Sequence, residues 1–142
     1  MSDTDIAAAF ASLEQDARWC WAGPWPEATL VALERRLGRA MPAPIAAVVR
    51  AVGSGEYAGP RLVAFFDDVA MGDVNATRLA ATPFAFAFAS DGGSGWYVVD
   101  VDDGFGRGPG AVWRLPAGAP FPSEARFVAS DVHAFLEWMR TA

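Results

Sequence analysis

The chain has 142 residues, of which 53% are hydrophobic and 20% charged, with a formal net charge of -6. That length predicts one core, burying roughly two-thirds of the surface the unfolded chain would expose, and that hydrophobicity excludes compositional disorder. All 11 basic residues are arginine, so mechanisms that need a Schiff-base, pyridoxal-anchoring or phosphate-loop lysine are excluded, and an acidic chain without a basic run is a poor direct ligand for nucleic acid.

No apolar run approaches the roughly 20 residues that span a bilayer, and Met1-Ser2-Asp3-Thr4-Asp5 is acidic where a secretory signal is basic, which together predict a cytoplasmic protein without a membrane partner. The single Cys20 has no intrachain disulfide partner, which agrees with a reducing compartment, and reads as a small buried or half-buried hydrophobe and not as a reactive thiol. Asp5 to Asp16 form a first predicted helix, with Ile6, Phe10 and Leu13 on one face and Asp3 or Thr4 available as a cap. Trp19 to Pro26 breaks it, through Gly23-Pro24 and a second proline.

Pro26 suits the first turn of a second helix, in which Leu30, Leu33 and Leu37 recur at helical spacing before Gly38 supplies a stop. Ile45, Val48, Val49 and Val52 describe a short third helix ending at Gly53-Ser54-Gly55. From Arg61 the period changes. Leu62 to Phe66, Phe84 to Ala89, Trp96 to Val101 and Ala111 to Leu115 read as strands of an antiparallel meander of four or more strands. Ser130 is placed to cap a closing helix carrying Val132, Phe135, Leu136 and Met139 on one face. The class is therefore α+β, a single domain over residues 1–142 with helices N-terminal to the sheet and one after it.

Three segments carry a family resemblance: Leu33-Glu34 and Leu37-Gly38 followed by Met41-Pro42; the hairpin Phe88-Ala89-Ser90-Asp91-Gly92-Gly93-Ser94-Gly95-Trp96-Tyr97-Val98-Val99-Asp100; and Val128-Ala129-Ser130-Asp131-Val132-His133-Ala134-Phe135-Leu136. In this order they resemble the SUKH superfamily (Smi/Knr-type domains), which includes bacterial toxin-immunity proteins and fungal regulators of cell-wall synthesis. The similarity runs from about Glu27 to Arg140, leaving residues 1–26, with their helix and Trp/Pro-rich segment, outside it. Met41 stands where leucine is common in the family, and Ile45 where an aromatic is common. The resemblance implies a non-enzymatic domain with no cofactor, no metal and no catalytic residue, whose partner is a protein: in bacteria a toxin domain that it binds and blocks. Two other readings are a regulatory or scaffold domain binding a cellular protein, and a small carboxylate-metal hydrolase.

A toxin acting on nucleic acid has a cationic active-site face, to which an acidic inhibitor is steered. The acidic candidates are Asp67, Asp68, Asp91, Asp102 and Asp103, with Trp96 as an aromatic anchor. In a meander, the strand ending at Phe66, the strand starting at Phe84 and the strand returning from Trp96 share one edge, so Asp67-Asp68 and Asp102-Asp103 are expected to be neighbours. Asp91 is expected at the opposite edge, roughly 20 Å away at about 3.3 Å per residue. Ordinary turn chemistry competes with function at each: Asp91-Gly92 and Asp103-Gly104 suit turns with a positive-φ glycine, and Asp67 or Asp68 suits a helix cap.

Other motifs fall short of chemistry. Asp100-Val101-Asp102-Asp103-Gly104 lacks the glycine position and closing glutamate of a calcium loop, and Gly93-Ser94-Gly95 lies between two strands, not at a nucleophile elbow. Gly104-Phe105-Gly106-Arg107-Gly108 has no following helix to make a dinucleotide loop. His133, the only histidine, reads as helix surface. Trp19, Trp21, Trp25 and Trp96 are the tryptophans with potential surface positions.

Overall fold

Apolar spacing passes from helical to alternating along the chain, and the backbone follows it. The structure is a computed structural model that describes residues 3–118 and 122–141. Helix α1 (Asp3–Ala11) runs on as a 3-10 turn (Ser12–Gln15), followed by β1 (Trp19–Gly23), α2 (Glu27–Leu37), α3 (Ala43–Ala51), β2 (Ser54–Ala58) and β3 (Leu62–Phe65). Then come α4 (Asp68–Asp73), a π-helical turn (Val74–Arg78), β4 (Ala85–Ser90), β5 (Gly95–Asp100), β6 (Val112–Pro116), β7 (Arg126–Ala129) and α5 (Val132–Thr141). The seven strands pair in chain order, each antiparallel to the next, so the sheet is a pure meander in an α+β fold.

The helix limits obey local chemistry. Pro26 is the N-cap of α2, one position earlier than the sequence suggests. Gly38 takes the left-handed conformation at φ 69° and donates to the carbonyls of Glu34 and Arg35, closing the helix as a glycine stop does. The Glu34 carboxylate then accepts the Met41 N–H at 2.8 Å, so the Leu33-Glu34…Met41-Pro42 spacing is a clamp that turns the chain into α3. The final helix is capped by Asp131, which accepts from Ala134 N–H at 2.7 Å, and not by Ser130. The side chains of Asp3 and Thr4, the caps suggested for α1, lie outside the described residues.

Three strands escape the sequence reading. β2 runs through Ser54-Gly55, residues with little β propensity, and forms because Tyr57 sits between Trp19 of β1 and Val63 of β3 in register. Two glycines are obligatory here: at Gly53, just before the strand and with φ 74°, a Cβ would overlap the Gly23 carbonyl, and at Gly55, within it, a Cβ would strike the Cys20 carbonyl and the Trp19 ring. β1 is hidden by its Gly-Pro exit, and β7 by its closeness to α5.

One sheet face packs against α1, α2, α3 and α5. Phe65 is its hub, meeting Phe10, Trp19 and Phe135 edge-on at centroid distances of 6.0, 5.6 and 6.4 Å. The other face carries a smaller cluster of Leu79, Ala85, Ala87, Trp96, Val98 and Leu115 beneath the π-helical turn and the loops. Strand β3 leaves the sheet early, with Phe66 N–H donating to the Phe88 carbonyl. Asn75 takes over where β3 stops: its Oδ1 accepts from Ala87 N–H and its Nδ2 donates to the Ala87 carbonyl, both at 2.8 Å, so a side-chain amide continues the ladder.

Candidate functional site

The loop between β5 and β6 presents the most organised acidic surface. Asp100, the last residue of β5, has no exposure, and its two carboxylate oxygens accept the N–H groups of Gly104 at 2.8 Å and Phe105 at 2.9 Å. Its backbone joins the far end of the same loop, donating to the Ala111 carbonyl and accepting from Gly110 N–H. Asp103 adopts φ 58°, a left-handed conformation that aspartate tolerates better than most residues, and accepts from Gly108 N–H at 2.7 Å. The sequence reading placed the positive φ on Gly104; it falls on Asp103 instead, because that carboxylate supplies the local acceptor.

Aromatic contacts, one edge-on and one tilted, anchor the loop. Phe105 lies 4.9 Å from Phe84 and 4.8 Å from Trp113, and the Arg107 guanidinium sits 4.7 Å from the Phe127 ring centre. Val101, Asp102 and Asp103 are thereby held exposed on a fixed backbone. Arg39 is near enough to feel the Asp102 charge; burial lowers the Arg39 pKa and Asp102 opposes that shift.

The expected union of Asp67-Asp68 with Asp102-Asp103 does not form as one row. Phe66 aligns with Phe88, whereas Val101 N–H donates to the Phe84 carbonyl. The two pairs therefore leave β4 four residues apart, roughly 13 Å at about 3.3 Å per residue. The cause is the short β3: the chain turns into α4 immediately, with Asp67 as its N-cap accepting from Ala70 N–H at 2.8 Å. Asp68 is exposed in the first turn beside Val69, which is 60% exposed.

Asp91, at the opposite end of the sheet, is committed to its own hairpin. It accepts from Gly95 N–H at 2.8 Å and Ser94 N–H at 3.1 Å, and pairs with Arg114 at 2.7 Å. Burial would raise its pKa; the Arg114 guanidinium and the Gly95 N–H outweigh burial and hold it below the ordinary value. Trp96 is no surface anchor. It is 8% exposed in the second cluster, with Arg78 over its ring at 5.2 Å, because its side chain points to the face covered by the π-helical turn. Trp19 and Trp25 are likewise buried, and the Trp21 side chain lies outside the described residues. Cys20, expected to be buried or half-buried, is exposed instead, because in β1 it alternates with the core-facing Trp19.

A second polar node escaped the sequence reading. Asp16 accepts from the Arg18 backbone and guanidinium and from the Tyr57 hydroxyl at 2.7 Å, with Arg140 at 3.8 Å, tying the end of the first helix to β2 and α5. The Arg18 side-chain bonds, then the Arg18 N–H, hold the Asp16 carboxyl well below the usual carboxylate range; burial and then Asp16 itself push the Tyr57 hydroxyl up. The one available signal was Asp16-Ala17-Arg18, a spacing that lets an aspartate accept from a backbone N–H two residues on.

Among the described residues no three His, Cys, Asp or Glu side chains converge as a metal site, and no helix is long and apolar enough to cross a membrane. No protein-family model matches the chain, and no curated protein is significantly similar to it.

Proposed function

We propose that this chain is a stoichiometric protein-binding domain of the SUKH-like kind, an immunity protein that binds and blocks a bacterial toxin domain with a basic active-site face, in the cytoplasm. The observation that carries the reading is the β5–β6 loop. Its turns are saturated internally by Asp100 and Asp103, so Asp102 and Asp103 are offered to a partner without the ordering cost that a flexible acidic loop incurs on binding. Fixed negative charge on an exposed loop supplies steering toward a cationic cleft. The Glu34 to Met41 clamp gives a physical role to the segment that carries the family resemblance.

The test has two arms. A tagged pull-down from the source organism at low and high salt should recover one stoichiometric partner with a basic toxin-like domain; recovery of only housekeeping proteins would support a regulatory scaffold instead. With that partner in hand, Asp102→Asn and Asp103→Asn together should slow association roughly tenfold at low salt and flatten its salt dependence, while Asp67→Asn with Asp68→Asn reports separately on the α4 patch. Asparagine keeps an acceptor at position 103 and tolerates its backbone, so folding is retained. Unchanged association in both double variants would reject the acidic surface.

A further inference from the structure

A cleft of about 290 Å³ opens between the end of α2, the π-helical turn and the stretch that leads into β4. Arg36 and Arg39 come to it from the end of α2, Asn75 and Leu79 from the π-helical turn and its C-cap, and Ala80 and Pro83 from the connection to β4. In a chain with a net charge of -6, a lining that holds two arginines and no carboxylate stands apart from the surface around it.

The two guanidiniums are held differently. Arg36 crosses α4 at Gly72, where a Cβ would strike its Nη1, and pairs with the exposed Asp73 at 2.5 Å. Arg39 is half-buried; its Nη1 donates to the Pro83 carbonyl at 2.6 Å, and its guanidinium lies 5.2 Å from the centre of the buried Phe86 ring. Those contacts tie the exit of α2 to the start of β4, yet they use one N–H of the five that a guanidinium carries. Among the described residues no carboxylate makes an ion pair with Arg39. Burial lowers its pKa, and the more distant Asp102 charge does not fully offset that shift. A cation drawn partly out of water without a carboxylate beside it is completed by an anion.

We propose that this cleft binds a small organic carboxylate, gripped by the Arg39 guanidinium with Arg36 beside it. A guanidinium fork matches the two oxygens of a carboxylate. Charge selects a monoanion over a doubly charged phosphate: Asp73 already neutralises Arg36, so about one positive charge is left to the ligand, and the acidic chain repels a dianion more strongly. Size selects a compact molecule, since the cleft stands at the lower end of the range of about 300–1,000 Å³ for ligand sites, and Leu79, Ala80 and Pro83 supply apolar surface for a short hydrocarbon body. π-helical turns recur at functional sites, and here the turn is a finished wall: Asn75 is already bonded to Met71 and Ala87, so it has no ordering left to undergo when a ligand enters. The inference does not depend on the protein-binding reading of the β5–β6 loop, and either can fail without the other.

The experiment is a titration of the protein with benzoate at pH 7, followed by proton–nitrogen correlation spectra, with benzamide as a neutral molecule of nearly the same shape. The expected result is saturable shifts at the amides of Gly38, Arg39, Ala76 and Leu79 with benzoate, and binding of benzamide weaker by roughly tenfold or more. Arg39→Gln should weaken benzoate by roughly tenfold or more, and Arg36→Gln by less, because Asp73 already occupies Arg36. Ala80→Trp fills the cleft from an exposed position while leaving both arginines in place, so it should abolish the shifts even if Arg39→Gln does not fold; the remaining resonances of each variant report its folding. An absence of saturable shifts, shifts confined to other parts of the chain, equal binding of benzamide, or benzoate binding that survives Ala80→Trp in the folded protein would overturn the proposal.

Discussion

Replacing Asn75 tests the idea that a side-chain amide substitutes for a missing strand. Asn75 is 7% exposed and makes three bonds: Ala87 N–H to its Oδ1 at 2.8 Å, and its Nδ2 to the carbonyls of Ala87 at 2.8 Å and Met71 at 2.9 Å. In Asn75→Ala the Met71 carbonyl keeps the Val74 N–H, but the Ala87 N–H and carbonyl lose their edge partner. At roughly 1–3 kcal/mol for each unsatisfied buried group, partly relieved by entering water, the cost is about 3 kcal/mol. For a chain of this size that lowers the melting temperature by roughly 6–12 °C. Asn75→Asp is the more discriminating variant. One carboxylate oxygen still accepts from Ala87 N–H, while the other is driven against two carbonyl oxygens. That raises the aspartate pKa in the folded state, so the variant is relatively stable below the unfolded value of about 3.9 and loses stability as the pH rises through the raised one. Urea unfolding followed by tryptophan fluorescence should rank wild type above Asn75→Ala and Asn75→Ala above Asn75→Asp at pH 7, with the aspartate variant recovering toward pH 4. An alanine variant within about 0.5 kcal/mol of wild type, or an aspartate variant with no pH recovery, would refute the reasoning.

Two further expectations concern the polar nodes. Because Asp16 has a depressed pKa in the folded state, its contribution is complete above the ordinary carboxylate value of about 3.9 and is lost as the pH falls below it; the stability difference between wild type and Asp16→Asn should therefore shrink between about pH 5 and pH 2, and a difference that grows on acidification would contradict the assignment. Asp100→Ala removes two charge-assisted acceptors from a fully buried position, costing about 2–4 kcal/mol, and hydrogen exchange should accelerate at Gly104 and Phe105 ahead of the rest of the sheet. Unaltered protection at those two amides would mean that the loop is ordered by its aromatic anchors alone.

Local rules carried the sequence reading a long way. The leucines of α2, the glycine stop at Gly38, the apolar run of α3 and the amphipathic α5 are all properties of a few adjacent turns, and four of the seven strands followed from aromatic and β-branched runs between turn residues. The strands that went unread have no such signature. Ser54–Ala58 is extended because Trp19 and Val63 flank Tyr57 in the sheet, not because Ser-Gly-Glu-Tyr-Ala prefers it. The candidate site divided in the same way: turn chemistry at Asp67, Asp91 and Asp103 was visible from neighbouring residues, whereas the burial of Trp96 and the separation of the two aspartate pairs depended on where β3 ends.

What the sequence determined by itself was the α+β class, the succession of helices and meander, and the acidic, lysine-free chemistry of the surface, because periodicity, caps and charge act over a few residues. What only the tertiary structure decided was which polar groups meet. Asp16 finds Tyr57 41 residues away, and Asn75 finds Ala87 across the sheet edge. Such pairings are set by the packing of the sheet and its covering helices, since a buried donor or acceptor must be satisfied wherever the fold happens to place it.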